Sequence, residues 1–183
     1  MSNHSKPVAF AVVGAGNRGQ GYAAWVRDHP HLARVVAVAE PDDRRRAAFA
    51  QAHGLAADAV LSDWRDLLDR PRVADAVIIA TRDRQHVDPA VQLAAQGYDI
   101  LLEKPIAPTL AECEQVAAAA RAGGGIAAVC HVLLYTPHTR VLRQVLASGR
   151  IGEIASVQHL EPLGYWHQAH SYVRGAWRRQ DEA

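Results

Sequence analysis

Short apolar runs alternate with longer amphipathic stretches over the first two thirds of the chain. Residues 8–13, 35–39, 76–80, 100–102 and 126–130 are continuous apolar segments, most of them rich in β-branched residues. A run with no polar face predicts a strand covered on both sides, as in a parallel sheet. Between the runs, apolar residues recur at three- and four-residue spacing. Val87, Val91, Leu93 and Ala94 form one set, and Leu110, Cys113, Val116, Ala117 and Ala120 another. That period predicts helices crossing over between the strands. Thr109 suits a helix start and Gly123-Gly124-Gly125 its end, while Asp63 can cap a short helix through Leu67 and Leu68, closed by Pro71. The pattern predicts the α/β class, with a doubly wound parallel sheet.

After Cys130 the pattern changes. Residues 136–147 predict one more helix, ended by Ser148-Gly149, and residues 153–160 predict a strand with some alternation. Residues 161–183 show no clear period. They carry Trp166 and Trp177, two of the four tryptophans, together with His167 and His170. A lone strand cannot make a sheet, since about three strands or a packing partner are needed. The expected organisation is therefore a nucleotide-binding domain over residues 1–131. Residues 132–183 would form a linker helix and the incomplete start of a second, α+β domain.

Composition narrows the function. Of 183 residues, 49% are hydrophobic and 21% charged, which excludes wholesale disorder. Twenty basic against nineteen acidic residues leave a net charge of +1, no footprint for nucleic acid or an anionic membrane. No apolar run reaches the roughly 18 residues of a membrane span. The run after Lys6 is too short for a signal peptide, and the expected compartment is the cytoplasm. Cys113 and Cys130 make neither a disulfide framework nor a metal-ligand spacing, and read as small buried hydrophobes.

Gly14-Ala15-Gly16-Asn17-Arg18-Gly19 fits G-x-G-x-x-G, between the strand of residues 8–13 and a predicted helix over residues 17–28. In this setting Gly14 allows the tight turn, Gly16 lets the backbone approach a pyrophosphate, and Gly19 lets helix and strand pack closely. The phosphates would meet free N–H groups at the helix N-terminus. The fold expectation sharpens to a Rossmann-type sheet. Glu40 ends the next strand about 20 residues on, where a carboxylate receives the hydroxyls of an adenosine ribose and repels a 2′-phosphate. NAD is thus favoured over NADP. The neighbouring Arg44-Arg45-Arg46 could hold a 2′-phosphate, but reads better as the solvated face of the following helix.

Glu103-Lys104-Pro105 stands at the carboxyl end of the strand over residues 100–102, the edge where open parallel sheets bind ligands. With this motif the sequence resembles the glucose-fructose oxidoreductase / inositol dehydrogenase / rhizopine-catabolism (Gfo/Idh/MocA) family. The matching features, in order, are the glycine fingerprint, Glu40, Thr81 after the 76–80 strand, His86 at the next helix, Glu103-Lys104-Pro105 and His131. Ser148-Gly149-Arg150-Ile151-Gly152-Glu153-Ile154 then resembles the family's link into its second domain.

The resemblance implies roles. Lys104 would lie beside the nicotinamide and the reacting carbon as the catalytic residue, where an ammonium stabilises developing alkoxide charge. Glu103 would contact the cofactor or orient the lysine. Pro105 would shape the turn, a cis peptide being open to it. Asn17 and Arg18 in the fingerprint, and Thr81, Arg82 and His86, would line the cofactor groove. His131, His167, His170 and Arg174 would face substrate. His167 and His170 share a helical face but lack a third ligand at fixed spacing, so no metal site is read.

The sequence also departs from the family. His131-Val132-Leu133-Leu134-Tyr135 replaces the usual polar continuation, and no residue matches the family's Asp-x-x-x-His helix. The chain is thus expected to be a fragment. The function implied is hydride transfer between NAD(P) and a secondary alcohol of a sugar, polyol or related compound. A homo-oligomer is expected where the second domain is present. The alternatives are a non-catalytic NAD-binding module and an NAD-dependent glycoside hydrolase.

Overall fold

A computed structural model of the chain describes residues 6–175 and 177–179. These fall into two compact units, and the chain divides between Cys130 and His131. The first unit holds the sheet. Its elements run β1 (Val8–Val13), α1 (Asn17–Asp28), β2 (Ala33–Ala39), α2 (Asp43–His53), β3 (Val60–Leu61), β4 (Ala76–Ile79), α3 (Val87–Ala95), β5 (Asp99–Leu102), α4 (Leu110–Gly123) and β6 (Ala127–Val129). The strand order is β3-β2-β1-β4-β5-β6, and every neighbouring pair is parallel. The order reverses between β1 and β4, which opens the crevice where such sheets take their ligands.

The inner apolar runs carry no polar face because strands such as β4 are buried on both sides, whereas the edge run over residues 126–130 is largely exposed. Side chains alternate across a strand. Val77 and Ile79 of β4 therefore join Ala11 and Val13 in one core, which α3 completes with Ala90, Leu93 and Ala94. Ile78 joins Val12 and Val38 in the other, closed by Ala23 of α1 and Phe49 of α2. Helix ends follow local chemistry. Thr109 and Glu112 make a reciprocal capping box at the start of α4, and Gly124 in the left-handed conformation ends it. Asp63 caps a single 3-10 turn over Trp64–Leu67, shorter than the helix the sequence predicts.

The second unit holds α5 (Pro137–Ala147), capped by Thr136 with a proline in its first turn. It also holds a short α6 (Tyr165–Gln168) that runs on into one wider turn, Ala169–Val173. None of its described residues is buried. The strand expected over residues 153–160 is not formed. Those residues have no regular structure, and Val157 and Leu160 are 82% and 77% exposed. A helix satisfies its backbone within itself, but a strand needs a neighbour for every ladder bond. Among the described residues none is supplied here.

Candidate active site

The turn after β1 is shaped by two glycines and left open at a third. Gly14 has φ +92°, and a Cβ there would lie 2.7 Å from the Ala80 carbonyl oxygen. Its N–H donates to the Ala39 carbonyl, so the turn is held between the ends of β2 and β4. A Cβ on Gly19 would fall 2.0 Å from the Gly14 carbonyl oxygen, which is why helix and turn can close up only on glycine. Gly16 differs: a Cβ there meets nothing within 4 Å. As the N-terminal residue of α1, it brings no side-chain cap, and the first turn holds no acidic residue. The helix thus presents uncapped N–H donors and an unopposed positive dipole end to open space, which suits an anion approaching close to backbone.

Glu40 stands one residue beyond β2 and is 3% exposed. Its Oε2 accepts from the Ala15 N–H at 2.8 Å, inside the glycine turn. Its Oε1 accepts from the Asp42 N–H at 3.0 Å and the Arg45 guanidinium at 2.7 Å. Burial pulls this carboxyl's pKa up, but the Arg45 hydrogen bond and the two backbone donors outweigh it, and the pKa lies below the ordinary range. The arginine run is not simply a solvated face. Arg45 pairs with Glu40, and Arg46 donates to the Glu40 carbonyl at 2.7 Å and pairs with Asp43. The reason is geometric: two of the three arginines, in the first turn of α2, point back over the strand end that precedes it.

Glu103 follows β5 and is 4% exposed. Its Oε1 accepts from Arg18 Nε at 2.7 Å and from the Tyr22 hydroxyl at 2.6 Å. Its Oε2 accepts from the Lys104 N–H at 3.0 Å. Arg18, expected to line the cofactor groove, thus spends its Nε on Glu103, while Asn17 beside it is exposed. Tyr22 was not singled out by sequence reasoning. The signal was its position four residues after Arg18, on the same face of α1. The Lys104 side chain is exposed, and among the described residues its ammonium has no hydrogen-bond or ion-pair partner. The Lys104–Pro105 peptide is cis, the form the sequence left open.

His86 is 0% exposed. Its Nδ1 lies 2.7 Å from the Pro105 carbonyl and its Nε2 3.3 Å from the Thr81 carbonyl. Expected to line the cofactor groove, it is buried and ties the turn after β4 to the turn after β5. A histidine at the start of an amphipathic helix cannot be assigned to rim or core from spacing alone. Thr81 is half-buried and donates from Oγ1 to the Gln85 carbonyl, and Arg82 is exposed. His131, His167, His170 and Arg174 belong to the second unit. There the His170 ring stacks on Trp166 at 4.0 Å and the His167 ring meets Tyr172 edge-on at 6.3 Å.

Glu103 resembles Glu40 electrostatically. Burial raises its pKa, but hydrogen bonds from Tyr22 and Arg18 win, and the net shift is downward. With the folded pKa below the unfolded one, each carboxylate stabilises the fold above the unfolded range near pH 4.3, and that contribution is lost as pH falls through the folded value. We expect the melting temperature to fall steeply below about pH 5. Calorimetry should show a shallower acid slope for Glu103→Gln, and equal slopes would contradict the assignment.

The family described as "Oxidoreductase family, NAD-binding Rossmann fold" (GFO_IDH_MocA) matches residues 8–131. The inositol 2-dehydrogenase of Ralstonia nicotianae is 34% identical over 144 residues, 78% of this chain and 42% of that protein. The 2,7-anhydro-N-acetylneuraminate hydratase of Mediterraneibacter gnavus is 29% identical over 175 residues, 96% of this chain and 41% of that protein. The chain therefore spans about two fifths of these curated relatives. Among solved structures, the WlbA dehydrogenase of Bordetella pertussis, in complex with NADH and UDP-GlcNAcA, superposes with a TM-score of 0.76. It is 22% identical, over 81% of this chain and 44% of that one, a likeness of fold.

Proposed function

Because the chain belongs to the Gfo/Idh/MocA oxidoreductase family, with its NAD-binding Rossmann fold over residues 8–131, we propose that it binds NAD along the carboxyl edge of the sheet. There Lys104 would stand beside a secondary alcohol of a sugar, polyol or related compound. The observation that carries the reading is the open face of Gly16 at an uncapped helix N-terminus. The pyrophosphate would meet the N–H donors of that turn. Glu40, with three of about four acceptor positions used within the protein, keeps one for a ribose hydroxyl. When bound, the nicotinamide accepts or returns a hydride. Lys104 would hold the substrate oxygen and stabilise its developing negative charge, and in the direction of carbonyl reduction its ammonium would donate the proton that turns the alkoxide into the hydroxyl. Among the described residues the ammonium has no partner, which leaves it available for this.

Residues 132–183 would be the linker helix and the opening of a substrate domain, with His131, His167, His170 and Arg174 directed to the substrate. Aromatic, imidazole and guanidinium groups suit a polyhydroxylated ring. A cytoplasmic location and self-association through that domain belong to the same reading.

The test begins with titration of the purified chain with NAD and NADH, by calorimetry and by cofactor fluorescence. Saturable binding below about 1 mM is expected; its absence would overturn the reading. In the full-length gene product, Lys104→Ala is expected to keep cofactor binding and lose NADH formation from a panel of polyols and sugar acids. Product without net NADH would instead indicate redox-neutral use of the cofactor.

A further inference from the structure

Three polar side chains, two from α1 and one from the turn after β5, converge next to Lys104. Glu103, 4% exposed, ends β5, and its carboxylate bridges two partners on α1 and one on its own turn. On the helix side, Arg18 Nη2 donates to the Tyr22 oxygen at 2.9 Å while the Tyr22 hydroxyl donates to Glu103. The ring closes, because Arg18 also reaches Glu103 directly. Burial is the first cause that raises the tyrosine's pKa, so it stays a neutral donor. A buried carboxylate held by a guanidinium and a phenol is oriented more rigidly than either donor alone achieves, since bonds in a satisfied network reinforce one another.

The third bond of this carboxylate comes from the Lys104 N–H. We infer that Arg18 and Tyr22 are positioning residues for Lys104, acting through Glu103, and that they tie the lysine's turn to the helix whose first turn faces the cofactor. The inference rests on the reading of Lys104 as the residue that meets substrate. Neither residue touches the reacting atoms, and their effect passes through one hydrogen bond, Lys104 N–H to Glu103 Oε2. Arg18 is half-exposed in the first turn of α1, so the tie starts at the helix end assigned to the phosphates.

The sequence provides a direct probe. Only two lysines occur among the 183 residues, Lys6 and Lys104. Labelling the chain with 15N-lysine therefore yields two backbone amide signals, and Lys104→Arg assigns them by deleting one. The Lys104 amide is expected downfield and slow to exchange with solvent. Tyr22→Phe and Arg18→Met should each shift it upfield and speed its exchange by about tenfold or more, the usual worth of a bond to a charged acceptor. Arg18→Lys should restore part of the protection, and the Lys6 signal should not move.

A Lys104 amide unchanged in both variants, with the fold intact by circular dichroism, would overturn the inference. If either variant fails to fold, Glu103→Gln and Arg18→Lys keep the test open. An unmoved Lys104 amide in both would again overturn it. No cofactor is added, so failure of NAD binding and failure of this tie are separate results.

Discussion

Gly19→Ala is expected to destabilise the first unit severely, whereas Gly16→Ala is expected to leave it folded and poor at binding NAD. The two substitutions add the same methyl group three residues apart. At Gly19 it would sit 2.0 Å from the Gly14 carbonyl oxygen, a backbone atom that cannot move without opening the turn. That turn is pinned in turn by its bond to Ala39 and by the approach of Ala80, 2.7 Å from where a Gly14 Cβ would stand. Overpacking against a backbone atom is expected at the upper end of the usual range, about 3 kcal/mol. For a chain of this length such a loss lowers the melting temperature by roughly 6–12 °C.

At Gly16 the methyl enters open space, and the backbone, at φ −72° and ψ −170°, is accessible to any residue. Stability should be nearly unchanged. The added group would stand where the pyrophosphate must approach, and losing one charge-assisted contact there weakens NAD binding by about tenfold or more. Thermal melting and NAD titration of both variants separate the roles. If Gly16→Ala binds NAD as tightly as the parent, the phosphates do not sit on this helix.

The same pair shows why the fold was legible and the site only partly so. The strands of the sheet announce themselves because β1 and β4 bury both faces, so every position is apolar. The glycines are legible because each substitutes for a steric clash that chain geometry alone imposes. The missed or misread features all depend on a partner elsewhere in the chain. Residues 153–160 have the composition of a strand but no neighbour among the described residues to pair with. β3 is only Val60–Leu61, and exists because β2 offers Val38 and Ala39 to pair with it. His86 looks like a groove residue in the sequence, yet its two ring nitrogens meet carbonyls at positions 81 and 105, which only the folded crevice brings together. Arg45 reads as a solvated charge until Glu40, five residues earlier, turns back beneath it.

That last pairing makes Glu40 the second position at which one atom should have a large effect. Glu40→Gln keeps the side chain's shape but replaces one carboxylate oxygen with an amide nitrogen. The parent carboxylate receives three donors, from Ala15, Asp42 and Arg45, and in the proposed complex also a ribose hydroxyl. The amide must turn its own N–H groups toward at least one of these donors. The Arg45 guanidinium, which in the parent stands 2.7 Å from Glu40 Oε1, then loses its close carboxylate and keeps Asp42 at 3.9 Å. Loss of hydrogen bonds to a charged acceptor costs about 1.5–3 kcal/mol, so NAD affinity is expected to fall by about 10- to 100-fold. NADP should respond differently. The negative charge that repels a 2′-phosphate is gone, and the released Arg45 offers that phosphate a forked donor. The ratio of NAD to NADP affinity is therefore expected to fall further than NAD affinity alone, a comparison two parallel titrations read directly. In Glu40→Gln/Arg45→Ala the NADP gain should disappear while the NAD loss remains. An unchanged affinity ratio in Glu40→Gln would show that the adenosine ribose is recognised elsewhere than at the end of β2.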